Sequence, residues 1–496
     1  MILELLVALL ALLVTYMIYS HYTSPKGLPP ALKPLPLIGN LIDVARWVSQ
    51  KNLQIHLTKA SKEYGKIFTL EVPGQRMVVI NSASIARKAL LDKKDDFSGR
   101  PYYFTMDYLT RGSKDIGASD FNPTWVIQRK LLHSAMRMYN PILEDQVCRE
   151  FEELSKRLTA SQGKPIDPSN DILLTTMNVI CAMVYGEHYQ IDDPEFLMIV
   201  DYNQKMFPLL GVLNILNLFP FMIHFPIKDS KQIKYVRDTR DRLLNEKFRQ
   251  HKETYQDGVI RDLTDALIKT LQEAEKENSK IHDIITEDHV VMTMADAFSV
   301  GFETTATTIL WFLVYMANYP NVQAKVQAEI DQIVGRDALP QWNDRNRLHY
   351  TEATISETLR LSSVAALSVP HKAMKDSTLE GYNIPKGTTL LFNNWAMHYD
   401  EDEWQNARVF DPTRFLDEDG KFVHVAGEKS FLPFGAGRRV CVGEALAKQE
   451  LFVIISRLLY QFNIELCPGS PPLEMVGELG LVHSPKPYKI CFKKRS

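Results

Sequence analysis

One cysteine lies in a glycine-rich, basic turn directly before a helix-forming run. Cys441 belongs to the stretch FLPFGAGRRVCVGEALAKQE, with Gly437 and Gly443 around it and Arg439 two residues before it. A thiolate that binds a metal needs support for its charge, and the amide groups at a helix start provide that support. Glycines let the backbone bend sharply and approach a flat group closely. Taken alone, such a cysteine more often only packs, so its neighbours must decide.

A second polar group interrupts a long apolar run. The stretch SVGFETT places Glu303 and Thr304 among mostly aliphatic and aromatic residues. Gly301 weakens the helix one turn before Thr304, and a threonine there can donate to the carbonyl four residues earlier. These features together permit a local opening of the helix. On this stretch alone, an incidental Glu-Thr-Thr in a helix is the alternative.

Two acid–arginine pairs occur at helical spacing. Glu357 and Arg360 lie one turn apart in TEATISETLRL, and Glu246 and Arg249 repeat the same spacing. The second pair is interpreted as a solvated ion pair on a helix surface. The first is followed by FDPTRF, which adds Arg414 before the cysteine turn.

These groups need a mainly helical scaffold to hold them. The clearest helix is predicted to begin near Thr286 as N-cap and to end at Pro320. It spans roughly 50 Å and is apolar nearly all round, so we expect it to be buried in the protein centre. Residues 66–82 and 377–393 each read as two short strands around a turn containing Pro and Gly. The predicted fold class is mainly α with small β-sheets at one side.

Composition excludes several classes of protein. The chain has 496 residues, 45% of them hydrophobic, which is ample for a large core, and a net charge of −3 gives no general attraction to nucleic acid. Its five cysteines are scattered and include no C-x-x-C pair, so a disulfide framework or a zinc site of that kind is not expected.

The N-terminus reads as a membrane anchor. Residues 1–22 are apolar over about 20 positions, enough to cross a bilayer, and no small-residue cleavage site comes after them. Lys26 and Lys33 lie in a proline-rich hinge, residues 23–40, and favour a cytosolic location for the remainder of the chain. Residues 41–496 contain no linker or repeat and are expected to form one domain.

A second apolar stretch, residues 207–228, is not expected to span a membrane. Pro208, Pro220 and Pro226 interrupt it, and proline breaks a spanning helix. It is either a buried loop or a surface that dips into the bilayer, and the second interpretation is preferred.

The cysteine turn resembles a known haem site. The spacing Phe434-x-x-Gly437-x-Arg439-x-Cys441-x-Gly443 is similar to the haem-binding loop of the cytochrome P450 family, the haem-thiolate monooxygenases. The resemblance implies a single-domain P450 fold with Cys441 as the axial ligand of haem iron. It further implies that Phe434 packs beside the thiolate and that Arg439 pairs with a haem propionate.

Other stretches extend the resemblance to propionate contacts. Trp125 and Arg129 have the family's W-x-x-x-R spacing, which places both on one helix face. Arg100 in FSGRP and His371 in VPHKA resemble further propionate partners.

Two of the polar groups gain roles from the same resemblance. Glu303 and Thr304 resemble the family's acid–alcohol pair, which delivers protons during dioxygen activation. Glu357, Arg360 and Arg414 resemble its buried ion triad, which is structural, not catalytic.

Within the family, the resemblance is greatest to members that hydroxylate steroids at carbon 17, some of which also cleave the adjoining bond to carbon 20. By that resemblance Asn203 and Arg240 contact the far polar end of the substrate. Val364 is expected to line the pocket. Val300 replaces a smaller residue usual in the family, which narrows the space near the reacting centre.

The resulting hypothesis is a membrane-bound monooxygenase containing haem b, acting on a small hydrophobic substrate. Because the chain has no flavin or nicotinamide motif, electrons are expected from NADPH through a separate NADPH-cytochrome reductase, with cytochrome b5 as a further partner. The expected location is the endoplasmic reticulum membrane, with the catalytic domain in the cytosol. Alternatives are a broad-specificity oxidase of xenobiotics or fatty acids, and a non-catalytic haem- or lipid-binding membrane protein.

Overall fold

The computed structural model describes residues 14–15, 25–276, 284–425 and 430–495. It divides into two compact units. The first unit is made of the described parts of Met1–Pro101, Ala366–Glu403 and Lys429–Val440, and the second unit of those of Tyr102–Ala365, Trp404–Glu428 and Cys441–Ser496. The predicted anchor, residues 1–22, lies outside the described residues apart from positions 14 and 15.

Helices dominate the described chain, as predicted. They are α1 Leu41–Ser49, α2 Leu53–Tyr64, α3 Ala83–Arg87, α4 Phe104–Leu109, α5 Pro123–Ala160, α6 Ser169–Tyr185, α7 Pro194–Met206, α8 Ile215–Leu218, α9 Lys228–Thr254, α10 Leu263–Lys276, α11 Glu287–Asn318, α12 Pro320–Ile333, α13 His349–Ser362, α14 Asn394–His398 and α15 Glu444–Gln461. The strands are β1 Ile67–Val72, β2 Gln75–Ile80, β3 His371–Lys372, β4 Ser377–Leu379, β5 Tyr382–Ile384, β6 Thr389–Phe392, β7 Phe462–Leu466, β8 Glu478–Leu479, β9 His483–Ser484 and β10 Ile490–Lys494.

The long helix α11 has the predicted boundaries. Thr286 is its N-cap residue, and its backbone N–H donates to Nδ1 of His289 at 3.1 Å. The helix stops before Pro320, where α12 begins, since proline favours a new first turn. Most of α11 is buried and it packs along α6, so its apolar circumference is a core feature. Of the helices in the described part of the chain, it alone is long and apolar enough to span a membrane.

The first unit is built on a four-stranded sheet with strand order β1-β2-β6-β3. β1 and β2 form the predicted hairpin, antiparallel and in register from Ile67 opposite Ile80. β6 runs parallel to β2, so the chain returns to this sheet after a long excursion. The inner faces of these strands are nearly all buried and form the apolar core of this unit.

Residues 377–393 form three strands, not the predicted two. An extra turn at Glu380 and Gly381 pairs β4 with β5, and both turn residues adopt positive φ, 51° and 79°. Such a two-residue turn joins antiparallel strands tightly. The break at Pro385 and Gly387 then separates β5 from β6.

The second unit holds two small antiparallel sheets, β7 with β10 and β8 with β9. Its apolar stretch 207–228 is not one helix: it forms a short helical turn, then α8, then another turn ending at His224. Phe219, Phe221 and Phe225 are exposed on it, each near half of its surface. Three exposed aromatic rings in one short segment are unusual for a water-facing surface.

Candidate functional site

The thiol of Cys441 is placed at the start of α15. Gly443 is the N-cap residue, and its backbone N–H hydrogen-bonds the sulfur, which favours the thiolate. Burial raises the pKa of the thiol, whereas Gly443 and the charge of Arg129 act against that rise. Cys441 nevertheless keeps exposed surface. An accessible sulfur with dense protein around it and a supporting amide is suited to act as a soft ligand for a metal such as haem iron.

Arg129 and Trp125 lie one turn apart on α5, in the second unit with Cys441. Asn122 caps this helix, because its Oδ1 accepts from the Trp125 backbone N–H at 2.8 Å. The guanidinium of Arg129 stacks over the Trp125 ring at 5.4 Å. Burial lowers the pKa of Arg129, and the nearby Cys441 sulfur opposes that effect. The Trp125 indole N–H donates to the carbonyl of Ile116 at 2.9 Å. Arg129 is therefore close enough to Cys441 to stabilise a thiolate.

Three predicted propionate partners cluster in the first unit. Arg100 Nη1 donates to the carbonyl of Pro370 at 2.8 Å, and Arg439 Nε donates to that of Ser98 at 2.9 Å. His371 Nδ1 lies 2.8 Å from the carbonyl of Phe97, which requires a proton on that nitrogen.

The electrostatics of this cluster favour an anion. Burial lowers the pKa of His371 well below its ordinary value, and the charges of Arg100 and Arg439 lower it further. The imidazole is therefore neutral, with both guanidinium groups close to it. Two cations beside a neutral donor suit a pair of carboxylates such as those of haem.

The turn before the cysteine depends on Gly437, which has φ of 73°. A Cβ there would lie 2.0 Å from the carbonyl oxygen of Leu90. The main chain of residues 431–440 is thus held against residues 88–92 too closely for any side chain at this position. Phe434 lies in the same turn and is partly buried.

Helix α11 has one accessible face at its middle. Val300 is 58% exposed, although its neighbours before and after in the helix are mostly buried. Glu303 and Thr304 are partly exposed, one turn further along, on the same side. Burial raises the pKa of Glu303 to about 7, and no charge in the described part of the chain opposes that rise.

Backbone geometry explains the glycine in this helix. Thr304 Oγ1 donates to the carbonyl of Val300 at 3.1 Å, the bond predicted from sequence. The helix remains continuous through Gly301, where a Cβ would lie 3.0 Å from Cδ1 of Ile180. The glycine therefore serves the close packing of α6 on α11, and the structure shows no local opening of α11 there.

The predicted substrate residues are buried in the second unit. Asn203 Nδ2 donates to the carbonyl of Ile199 at 3.0 Å, and its Oδ1 has no partner among the described residues. Arg240 is 3% exposed and donates to the carbonyl of Leu109 and, at 2.6 Å, to Oδ1 of Asp241. In this structure Arg240 therefore holds α9 to the end of α4. Of these two residues, Asn203 is the one whose side chain keeps a buried polar atom without a partner among the described residues.

Val364 is also buried, and its carbonyl accepts from the backbone N–H of His483 at 2.9 Å. This bond joins the end of α13 to β9.

Sequence reasoning missed a pair of carboxyl groups, Asp115 and Asp296. Asp296 Oδ2 accepts from the backbone N–H of Ile116 at 2.5 Å and of Gly117 at 3.3 Å. Burial first, and then the charge of Asp115, raises the pKa of Asp296 well above its ordinary value. Asp296 lies one turn before Val300 on the accessible side of α11. An aspartate in an apolar helix, two turns before a glutamate, was the available signal.

A buried ion triad lies elsewhere in the second unit. Glu357 and Arg360 are fully buried, with Nε and Nη2 of Arg360 each 2.7 Å from a carboxylate oxygen. Arg414 Nε lies 3.4 Å from Glu357 Oε1, which also accepts from the Asp411 backbone N–H at 2.9 Å. Arg360 stacks on Trp404 and donates to a backbone carbonyl. The triad therefore ties α13 to residues 404–414 and offers no accessible group for catalysis.

Comparison with known proteins matches this chain to one family over almost its whole length. The family model described as Cytochrome P450 matches residues 29–492. Relatives described as "Steroid 17-alpha-hydroxylase/17,20 lyase" are 39% identical in Rana dybowskii, over 94% of this chain and 90% of that one, and 38% identical in Squalus acanthias, over 99% and 98%. A zebra fish cytochrome P450 solved with progesterone is 35% identical and has a TM-score of 0.79, covering 89% of this chain and 99% of that one.

Proposed function

The chain belongs to the cytochrome P450 family, and from that premise we propose that its substrate is a steroid, hydroxylated at carbon 17. The support for a steroid is the near full-length similarity to steroid 17-alpha-hydroxylase/17,20 lyases of several vertebrates. A structural relative solved with progesterone has the same fold at 35% identity. We further propose that cleavage of the bond between carbons 17 and 20 accompanies the hydroxylation.

As a P450 monooxygenase, the protein contains haem b and receives electrons from a separate NADPH-dependent reductase. When bound, the haem activates dioxygen so that one oxygen atom is inserted into the substrate. We propose that the sulfur of Cys441 would hold the haem iron, because that sulfur is accessible and accepts a hydrogen bond from the Gly443 amide. This is the single observation on which the proposed site rests. Phe434 is proposed as a further residue of the haem site.

Five residues are proposed as propionate partners. In the second unit, Arg129 and Trp125 would serve, with Arg129 also adding positive charge near the sulfur. In the first unit, Arg100, Arg439 and the neutral imidazole of His371 supply the donors. The positive charge of the arginines would offset the free-energy cost of burying the two haem carboxylates.

The chain's own groups would control protons on the accessible face of α11. With a pKa of about 7, the carboxyl of Glu303 is half protonated at neutral pH and can both give and accept a proton. The hydroxyl of Thr304 is oriented by its bond to the carbonyl of Val300, so its oxygen remains an acceptor towards this face. Val300 would add an apolar side chain beside them on this face.

We propose that the shape of an apolar pocket and a few polar contacts orient the substrate. A steroid is a rigid apolar plate, and pockets for such ligands are apolar with a small number of polar groups. Oδ1 of Asn203 is the proposed contact for the far oxygen of the steroid. Arg240 would contribute only if it exchanged its bonds to Leu109 and Asp241. Val364 and Val300 would supply apolar walls.

A membrane location is proposed from two segments. Residues 1–22 would anchor the chain, and the exposed rings of Phe219, Phe221 and Phe225 would enter the interface of the bilayer. We propose the endoplasmic reticulum membrane with the remainder of the chain facing the cytosol. The electron donor would then be an NADPH-cytochrome reductase on the same membrane, with cytochrome b5 as a second partner.

Spectroscopy of the full-length protein tests the proposal in two stages. The ferrous carbon monoxide complex should show the Soret position of thiolate ligation, and Cys441→Ser should lose it; an imidazole-type position in the wild type would overturn the assignment of Cys441. Progesterone-like and pregnenolone-like steroids should then shift the spin state, and turnover should yield the 17-hydroxylated product. A response to fatty acids or xenobiotics and to no steroid would instead favour a broad-specificity oxidase. A normal thiolate spectrum without turnover of any substrate would favour a non-catalytic binding protein.

A further inference from the structure

The C-terminal hairpin carries two cysteines on one face. β7 and β10 are antiparallel, with Cys491 directly opposite Glu465. Cys467 follows β7 two residues after Glu465, and side chains two positions apart point to the same side of a strand. Cys467 and Cys491 are therefore diagonal neighbours across the hairpin.

Side chains placed diagonally in this way on β7 and β10 come close to each other. Glu465 and Lys493 have the same offset, and Lys493 Nζ lies 2.5 Å from Glu465 Oε2. The sulfur of Cys467 donates to the carbonyl of Lys489 at 3.2 Å, so it is turned towards the chain entering β10. Burial raises the pKa of Cys491, and the charge of Cys467 and a hydrogen bond with it raise that pKa further. The two thiols are thus in contact range of one another.

Their exposures differ in a way that orders their reactions. Cys467 is partly exposed, whereas Cys491 is 2% exposed, and both are free thiols. A solute therefore reaches Cys467 first, and Cys491 is placed to react with the product that forms there. This arrangement of an accessible thiol with a nearby resolving thiol is typical of reversible cysteine oxidation.

We propose that Cys467 and Cys491 form a reversible disulfide, with hydrogen peroxide as the oxidant. The Cys467 thiolate attacks one peroxide oxygen, the O–O bond breaks, and the products are a sulfenic acid and, after protonation, water. The sulfur of Cys491 then attacks the Cys467 sulfur, the S–S bond forms, and the sulfenic hydroxyl leaves as a second water. Two electrons pass from the two sulfurs to the peroxide, and a dithiol reductant reverses the change.

Closing this bond would constrain a segment that packs on the long helix. The two cysteines enclose residues 468–490, in which the backbone N–H of His483 donates to the carbonyl of Val364 at 2.9 Å. The carbonyl of His483 accepts from the Trp311 indole N–H, also at 2.9 Å. A covalent link at the base of this segment limits how far it can move from α11 and α13.

Mass spectrometry of the full-length holoenzyme tests the proposal directly. After peroxide treatment and alkylation of remaining thiols, trypsin cuts after Arg457, Lys489 and Lys493, while Pro487 protects Lys486. Without reductant, the expected species joins peptide 458–489 to peptide 490–493 and is two hydrogen atoms lighter than the separate thiol peptides. Dithiothreitol should return both peptides. Detection of Cys467 as sulfinic acid, with Cys491 still alkylated, would overturn the proposal.

Matched variants separate the pair from general oxidation. Cys467→Ser and Cys491→Ser should each abolish the linked species, and Cys148→Ser, which removes another partly exposed thiol, should leave it unchanged. In the wild type, peroxide should slow chymotrypsin cleavage within 468–490 several-fold, and reduction should restore it. A cross-link from Cys467 to any other cysteine would refute the assignment. Because the wild-type measurement stands alone, a variant that fails to fold does not weaken the test.

Discussion

Replacing Glu303 by glutamine is expected to remove a titration near pH 7 from the middle of α11. The carboxyl lies on the accessible side of this helix, but enough protein surrounds it that burial raises its pKa from 4.5 to about 7. Among the described residues, burial is the one contributor to that rise, and none of their charges offsets it. A rise of this size corresponds to ~3.4 kcal/mol, at about 1.36 kcal/mol for each pH unit. Since Glu303 is partly exposed, solvent screening reduces the expected effect to about 2–3 kcal/mol.

The sign of the pH dependence follows from the direction of that change. A carboxyl group whose folded pKa is raised stabilises the fold below its unfolded pKa, near 4.5, and this contribution is lost as pH rises through about 7. The free energy of unfolding of the wild type should therefore fall by about 2–3 kcal/mol, relative to Glu303→Gln, between pH 5 and pH 8.5. Glutamine has nearly the same shape and does not ionise, so the comparison isolates the proton.

Infrared difference spectroscopy measures the same proton directly. The carboxyl C=O band present in the wild type and absent in Glu303→Gln should lose half its intensity near pH 7, and the pH dependence of turnover should change in the variant. Thr304→Val is the matched control, since it removes the neighbouring hydroxyl and leaves the carboxyl band. A carboxyl band already lost by pH 5.5 would refute the reasoning, because solvent would then reach Glu303 despite its surroundings.

Three further changes test the structure elsewhere. Arg360→Met should lower the free energy of unfolding by about 3–5 kcal/mol, because Glu357 would lose its bidentate partner in a fully buried setting. Adding Glu357→Leu should recover part of that loss in thermal unfolding. A loss below about 1 kcal/mol would show that the pair behaves as a surface ion pair. Gly437→Ala should strongly reduce the yield of folded holoenzyme, because the new Cβ would lie 2.0 Å from a backbone carbonyl oxygen. Gly435 also has a positive φ but has open space around it, so Gly435→Ala should lower the free energy of unfolding by only about 1 kcal/mol. Asp296→Asn should flatten the loss of stability as pH rises above the ordinary range of a carboxyl group, because burial and a neighbouring carboxyl raise the pKa of Asp296 and its ionisation therefore destabilises the fold. Equal pH profiles for variant and wild type would contradict this.

The mainly helical class, the hairpin at residues 66–82 and the ends of α11 were all predictable from local pattern. Each depends on residues close together in the chain: a threonine cap, a proline at the next helix, a Pro-Gly turn between alternating strands. The extra turn at Glu380 and Gly381 was missed, since only the pairing of β4 with β5 favours it there. The family was likewise indicated by the short spacing around Cys441, and the comparisons confirm it.

The two acid–arginine pairs show where local pattern ends. Glu246 and Arg249 lie 2.6 Å apart and are each about half exposed, as predicted for a solvated pair. Glu357 and Arg360 have identical spacing and a nearly identical distance, yet neither has exposed surface. Spacing sets which side chains meet, because it is a property of the helix, whereas burial depends on what other segments cover that helix.

Residue types and short spacings thus decided which elements form and which chemistry the chain carries. Tertiary packing alone decided that Glu303 keeps its proton to about pH 7, that Asp296 meets Asp115, and that Cys467 faces Cys491 across a hairpin. The reason is that pKa values and thiol pairing depend on the local dielectric and on distances between atoms far apart in the chain, and those are properties of the folded interior.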